Sequence, residues 1–151
     1  MNSFKYINLR DYPDLVSDAA KWFHKKWNVP MNEYLKVMNS YIKHETDYGW
    51  YLCMLNNQII AGVGVIENDF HDRKDLTPNI CALYVEEDFR GNKIAGRLLE
   101  NAIDDLRRLN KKYVYLVTEH TNFYEKYGWE FYCNVRDEIE DIYLRMYVYK
   151  I

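Results

Sequence analysis

A chain of 151 residues with a formal net charge of −3 has the length of one domain with its own core, and it needs no metal or disulfide staple. Its mild acidity excludes a nucleic-acid binder that relies on a general basic surface, and no apolar run approaches the ~18 residues of a membrane span. Cys53, Cys81 and Cys133 are odd in number and far apart, and the start Met1-Asn2-Ser3-Phe4-Lys5 lacks a signal peptide's apolar run, so a reducing cytoplasm without disulfides or zinc is expected.

Phe4-Lys5-Tyr6-Ile7-Asn8-Leu9 alternates as a strand does. Asp11-Tyr12-Pro13 then opens a helical stretch in which Leu15, Ala19, Trp22, Phe23 and Trp27 recur at spacings of three and four, and Asn28-Val29-Pro30 breaks it. A second helix carries Tyr34, Leu35, Met38 and Ile42 on one stripe. Tyr51 to Leu55, Asn56-Asn57 and Ile59 to Ile66 form a hairpin signal, with Gly62 and Gly64 marking a bend or a close backbone approach. A polar stretch from Asn68 to Asp75 leads to Ile80-Cys81-Ala82-Leu83-Tyr84-Val85, apolar on both faces as in a central strand. Ile94, Leu98, Ala102, Ile103, Leu106 and Leu109 make a helical stripe, and Tyr113 to Val117 a second buried strand. A short helix is expected from about Asn122 to Tyr127, and Trp129 to Cys133 with Ile142 to Tyr149 reads as a closing pair. No repeat or linker divides the chain, so residues 1–151 read as a single mixed α+β domain. Tyr occurs 15 times, which obliges many phenol oxygens to find a partner or water.

The segment Glu86-Glu87-Asp88-Phe89-Arg90-Gly91-Asn92-Lys93-Ile94-Ala95-Gly96-Arg97 joins a buried strand to a long helix. Such a turn leaves backbone N–H groups free, and the helix dipole adds to their attraction for an anion. Gly91, Ala95 and Gly96 keep it open to close approach, while Arg90, Lys93 and Arg97 bring cations ahead of the first acid, Glu100. A phosphate seat accounts for this pattern; so does a helix start that is basic and glycine-rich by chance.

Leu83-Tyr84-Val85 followed by Arg90-Gly91-Asn92-Lys93-Ile94-Ala95-Gly96-Arg97-Leu98-Leu99 resembles the acetyl-CoA motif of the GNAT N-acetyltransferases, whose pyrophosphate turn is written Q/R-x-x-G-x-G/A. Phe123-Tyr124-Glu125-Lys126-Tyr127-Gly128-Trp129 resembles that family's second signature, and the two motifs stand in order with a helix and a strand between them. The resemblance implies a mixed, mostly antiparallel central sheet of about seven strands flanked by helices. It also implies direct transfer of an acetyl group from acetyl-CoA, as co-substrate, to a primary amine in a ternary complex. Leu83, Tyr84 and Val85 would bind the pantetheine arm, with an amide near Leu83 polarising the acetyl carbonyl. The amides of Gly91, Asn92, Lys93, Ile94, Ala95 and Gly96, with Arg90 and Arg97, would hold the pyrophosphate. Tyr124 matches the family's general acid. Two departures stand out: Lys93 replaces the usual Gly at a position that can be the first helical turn, and the short segment Thr118 to Asn122 omits the usual Asn.

The general base has no fixed position in the family. Thr77, where some members carry a Glu, cannot serve. Glu67, Asp69 and His71 follow the third strand, and Glu119 and His120 end the fifth, where the fourth and fifth strands should splay apart. His120 is therefore the preferred base, with Glu119 beside it. His71-Asp72 lacks a third ligand at matching spacing, so no metal is expected and a solvated loop is the reading. Trp22, Trp27 and Tyr34 lie on the two helices that wall the family's acceptor cleft, although aromatics at that spacing also suit a core. Asp137 to Asp141 could draw a cationic amine but reads first as a solvated hairpin loop. The expected partner is a small-molecule or peptide amine, with no nucleic acid, no membrane, and a homodimer as one possible assembly. The rivals are an aminoglycoside or polyamine acetyltransferase, and an acyl-CoA-binding sensor of the same fold that has lost turnover.

Overall fold

A computed structural model describes residues 3–151. The strands are β1 (Lys5–Asn8), β2 (Trp50–Leu55), β3 (Gln58–Ile66), β4 (Asn79–Val85), β5 (Tyr113–Thr118), β6 (Glu130–Arg136) and β7 (Tyr143–Lys150). The helices are α1 (Val16–Trp27), α2 (Met31–Ile42) and α3 (Ile94–Arg108). The seven strands are ordered β1-β2-β3-β4-β5-β7-β6. β4 and β5 run parallel, while β1 with β2, β2 with β3, β5 with β7 and β6 with β7 are antiparallel. This is the mixed, mostly antiparallel sheet expected. No helix among the described residues is long and apolar enough to cross a membrane.

The chain folds into two compact units. The first comprises the residues up to Gly64 together with Ala82–Ala102. Its α1 begins later than the sequence suggests, because Leu9–Asp11 and Pro13–Leu15 form 3-10 turns first. α1 ends where Asn28 turns left-handed (φ 57°) and its amide closes on the His24 carbonyl at 2.9 Å. Phe23, Tyr34 and Trp50 pack as an aromatic cluster, with ring centroids 5.0 Å apart for Phe23–Trp50 and 5.6 Å for Phe23–Tyr34. Gly62 and Gly64 make room for these rings. A Cβ on Gly62 would stand 2.6 Å from the Phe23 ring, and one on Gly64 would stand 2.4 Å from the Trp50 ring. The close approach is by aromatic side chains, not by another backbone. Asn56 (φ 50°) and Asn57 (φ 65°) are both left-handed, as a tight two-residue hairpin between β2 and β3 requires.

The second unit comprises Val65–Cys81 and Ile103–Ile151. Leu76, Val135 and Met146 are buried together, with Tyr115, Val117, Cys133 and Leu144 packed against them. β4 enters beside β5 at Asn79↔Tyr115. The helix expected near 122–127 is a single 3-10 turn over Tyr124–Tyr127, ended by left-handed Gly128 (φ 90°). Cys53 and Cys81 are buried thiols, and Cys133 is half-buried.

The loop after β3 departs most from expectation. His71, read as part of a solvated loop, is fully buried. Its Nδ1 accepts from the Arg73 amide at 3.2 Å, which leaves Nε2 to donate to Asn79 Oδ1 at 2.9 Å. Asn79 Nδ2 in turn donates to the carbonyls of Glu67 (2.7 Å) and Leu76 (3.0 Å). A buried imidazole is tolerated because both of its ring nitrogens are satisfied in the neutral form. The Asn68 side chain adds bonds to the backbone of His71 at each end, at 3.0 Å, so the turn carrying Asp69 is pinned on both sides.

Candidate active site

In the first unit, β4 contains a left-handed residue with a side chain: Ala82 has φ 56°. A break of this kind interrupts a strand's regular ladder and re-aims its backbone. The Trp27 indole N–H donates to the Ala82 carbonyl at 3.0 Å. Beyond the break, Leu83, Tyr84 and Val85 are half-buried. The Arg90 Nε donates to the Val85 carbonyl at 2.9 Å, with the guanidinium 5.3 Å above the Tyr84 ring. Arg90 thus holds the end of the strand from which the turn departs.

The turn itself begins with a 3-10 turn over Glu87–Phe89. Gly91 is left-handed (φ 86°), and an added Cβ there would meet nothing within 4 Å. Lys93 is left-handed as well (φ 62°), and α3 starts at Ile94. The Lys93 carbonyl accepts the first helical bond, from the Arg97 amide at 3.2 Å. The position usually occupied by Gly is therefore the residue ahead of the helix, not its first turn, and a side chain there costs on the order of 1 kcal/mol. Gly91, Asn92 and Lys93 are exposed, whereas Ile94 is buried and anchors the helix start. The amides of Ile94, Ala95 and Gly96 have no acceptor within the helix, by the geometry of any α-helix N-terminus. Arg97 is exposed, its guanidinium 5.5 Å from the Tyr6 ring. Open amides, a dipole and cations at one turn suit a pyrophosphate.

Of the three aromatics expected to face an acceptor, two engage Tyr84. Trp22 and Trp27 meet its ring edge-on at 5.9 Å and 6.2 Å. Lys26, one turn from Trp22, lies 5.1 Å above the same ring and pairs with Glu86. Tyr34 lies in the core instead, only 6 % exposed between Phe23 and Trp50. Its spacing on α2 is that of a core stripe, shared with buried Met38.

In the second unit, Tyr124 is half-buried among Phe123 (4.9 Å), Trp129 (6.2 Å) and Tyr147 (6.2 Å between centroids). Burial, and then the charge of Asp69, push its phenol up to about 12. Asp69 is itself pushed up to about 6, by burial first and by Asp137 second. A phenol in this state keeps its proton at neutral pH, and a carboxyl titrating near 6 is ionised there yet able to take a proton. Glu67, Glu119 and His120 are exposed, and the His120 backbone amide donates to Thr118 Oγ1 at 3.0 Å. Asp69 is the acid among the sequence candidates that burial singles out, and its only sequence signal is its place in the polar stretch after β3. The left-handed break at Ala82 has no sequence signal. Among the described residues, no group of three His, Cys, Asp or Glu side chains is arranged to hold a metal ion.

Comparison with known proteins agrees with this geometry. Residues 10–129 match the model of the acetyltransferase (GNAT) family. No curated protein matches the sequence significantly. An acetyltransferase of the GNAT family from Streptococcus pneumoniae shares the fold, with a TM-score of 0.73 at 14 % identity over 99 % of both chains. An aminoglycoside 6'-N-acetyltransferase complexed with coenzyme A gives 0.71 at 14 % identity, over 98 % of this chain and 96 % of that one. A GNAT family acetyltransferase from Elizabethkingia anophelis with acetyl-CoA bound gives 0.61 at 17 % identity over 98 % of each chain. With the family model covering most of its length, and the strand, turn and second signature in place, the chain belongs to the GNAT acetyltransferase family.

Proposed function

We propose that this protein is an N-acetyltransferase, one domain that transfers an acetyl group from acetyl-CoA to a primary amine by direct attack in a ternary complex. The observation that carries the reading is the turn from Arg90 to Arg97, where left-handed Gly91 and Lys93 leave the amides ahead of α3 open beside Arg90, Lys93 and Arg97. Acetyl-CoA supplies a thioester, whose carbonyl carbon is the electrophile. The turn amides, with Arg90, Lys93 and Arg97, hold the pyrophosphate, and Leu83 to Val85 orient the pantetheine arm. The Leu83 N–H donates to the carbonyl oxygen as negative charge gathers there. Tyr124, protonated at neutral pH, supplies the proton that the departing sulfur needs.

The acceptor arrives as an ammonium and must lose a proton before its lone pair can attack. Asp69 is the proposed base in place of exposed His120 and Glu119: its turn is pinned by Asn68 and the His71 network, and its carboxyl titrates near 6. Trp22 and Trp27 remain the proposed acceptor-side aromatics, and Trp27, 44 % exposed, is the more open. The acceptor class is a small-molecule or peptide amine, with aminoglycosides and polyamines as the narrower version. The proposed setting is cytoplasmic, as a monomer or homodimer, without nucleic acid or membrane.

Calorimetry with acetyl-CoA and with free CoA tests the cofactor, and absence of binding to both defeats the proposal. Thiol release across an amine panel then separates an enzyme from an acyl-CoA sensor, the second reading, which the strained Lys93 in the turn favours. Binding without turnover on any amine would establish the sensor.

A further inference from the structure

The Ala82 carbonyl and the Leu83 N–H belong to one peptide unit, which is planar and trans, so the two groups point in opposite directions. Whatever grips the oxygen also aims the hydrogen. The group that grips it is the Trp27 indole, at 3.0 Å and across 55 residues of sequence. We propose that Trp27 is a positioning residue: by holding the Ala82 carbonyl it directs the Leu83 N–H and sharpens it as a donor, and so sets the rate of acetyl transfer. This rests on the proposed function for its chemical consequence, although the grip itself does not.

Two features make the grip more than incidental packing. Ala82 is left-handed (φ 56°), a conformation that a residue with a Cβ keeps only when its surroundings hold it. Trp27 is 44 % exposed, so covering apolar surface is a poor reason for its ring to lie there, and its one polar atom is spent on the strand. The indole is itself fixed. It is the last residue of α1, its ring meets Tyr84 edge-on at 6.2 Å, and its neighbour Lys26 pairs with Glu86 just beyond β4. His24 Nδ1 meets the Val29 carbonyl at 2.7 Å, which ties down the chain leaving the helix. A hydrogen bond accepted by a peptide oxygen polarises the same peptide's N–H, so Trp27 would also strengthen the donor that it aims.

The sequence permits a direct test. Ala82-Leu83 is the chain's only Ala-Leu pair, so carbonyl-labelled Ala with nitrogen-labelled Leu gives one resonance for this peptide. In Trp27→Phe, which keeps a ring and removes the donor, that resonance should shift. With the amine found to react in the panel, kcat should fall about tenfold or more while the amine KM and the CoA Kd stay within about twofold. An unmoved resonance, or a loss confined to the amine KM, overturns the proposal, the latter leaving Trp27 with its acceptor-side role alone. Should Trp27→Phe not fold, the wild-type indole hydrogen decides: it should exchange with solvent far more slowly than a free indole, and fast exchange overturns the grip. Failure of the proposed function is distinguishable, because a wild type that acetylates no amine defeats that reading and the transfer role with it, whereas the Ala82-Leu83 resonance reports the grip in either case.

Discussion

The turn from Arg90 to Arg97 and the loop from Asn68 to His71 are both polar connections next to β4, and they are built by opposite means. The turn is built for exposure: Gly91, Asn92 and Lys93 stand in solvent, two of them left-handed, and the attraction proposed for anions would come from backbone amides and long cations. The loop works by burial. His71 is sealed inside a hydrogen-bond network, and Asp69 and Tyr124 are moved from their ordinary ranges chiefly by loss of water. An anion seat needs accessible dipoles, whereas acid–base chemistry at neutral pH needs carboxyl and phenol groups whose affinity for protons has been altered. The lesson is that two polar connections can suit different chemistry according to how much water reaches each of them.

The sharpest way to break this contrast is Tyr124→Phe. Removing the proposed general acid should lower kcat by about 10²–10⁴-fold with the acetyl-CoA Kd nearly unchanged, as read by steady-state kinetics and calorimetry. Equal turnover would take Tyr124 out of the mechanism and leave its raised phenol as a packing effect.

Asp69→Asn should follow, with a loss of about 10²-fold in kcat/KM and disappearance of the acid limb expected of wild type near pH 6. The same substitution should stabilise the fold. Because Asp69 is raised in the folded state to about 6 from 3.8, the folded chain holds this proton more tightly than the unfolded one. Its favourable contribution is complete below the ordinary carboxylate range and is lost as pH rises through 6. Above that pH the ionised group costs about 2–3 kcal/mol, which the amide removes. Denaturant melts at pH 5 and pH 8 should show the Asn variant gaining mainly at pH 8; a variant less stable at pH 8 would show that Asp69 is held by favourable contacts, not by burial.

Lys93→Gly tests the turn. It should relieve the left-handed strain and raise stability by about 0.5–1 kcal/mol, or roughly 1–4 °C in Tm, while weakening CoA binding modestly by removing one cation. Salt should give the smallest effect. Raising ionic strength from about 0.05 M to about 0.5 M should weaken CoA binding severalfold, since the turn's charges are exposed and screened, and should leave the acid limb near pH 6 almost in place. A limb that moves as far as the binding does would erase the distinction between the two regions.

Much of the fold was legible because it follows from periodicity. The stripe of Ile94, Leu98, Ala102, Ile103 and Leu106 is buried along α3, and Asn56-Asn57 marks a hairpin because both residues tolerate the left-handed region. The α1 aromatics were legible as a stripe but not as contacts, since spacing says which face a residue shares and nothing of what that face meets. Gly62 and Gly64 read as a bend or as room for a backbone, yet what they make room for is the ring of Phe23, from α1, and that of Trp50, opposite Gly64 across the hairpin.

The sequence by itself determined the order of the elements, the basic turn ahead of α3, and the place of Tyr124 in the second signature, because these depend on local spacing and residue type. Only the tertiary structure decided that Lys93 precedes the helix, that Ala82 is left-handed and gripped by Trp27, that Tyr34 belongs to the core, and that Asp69 and not His120 is the candidate base shifted by loss of water. The physical reason is common to all four. Conformational strain and loss of water are imposed by groups far away in the chain, and a residue's own neighbours carry no record of them.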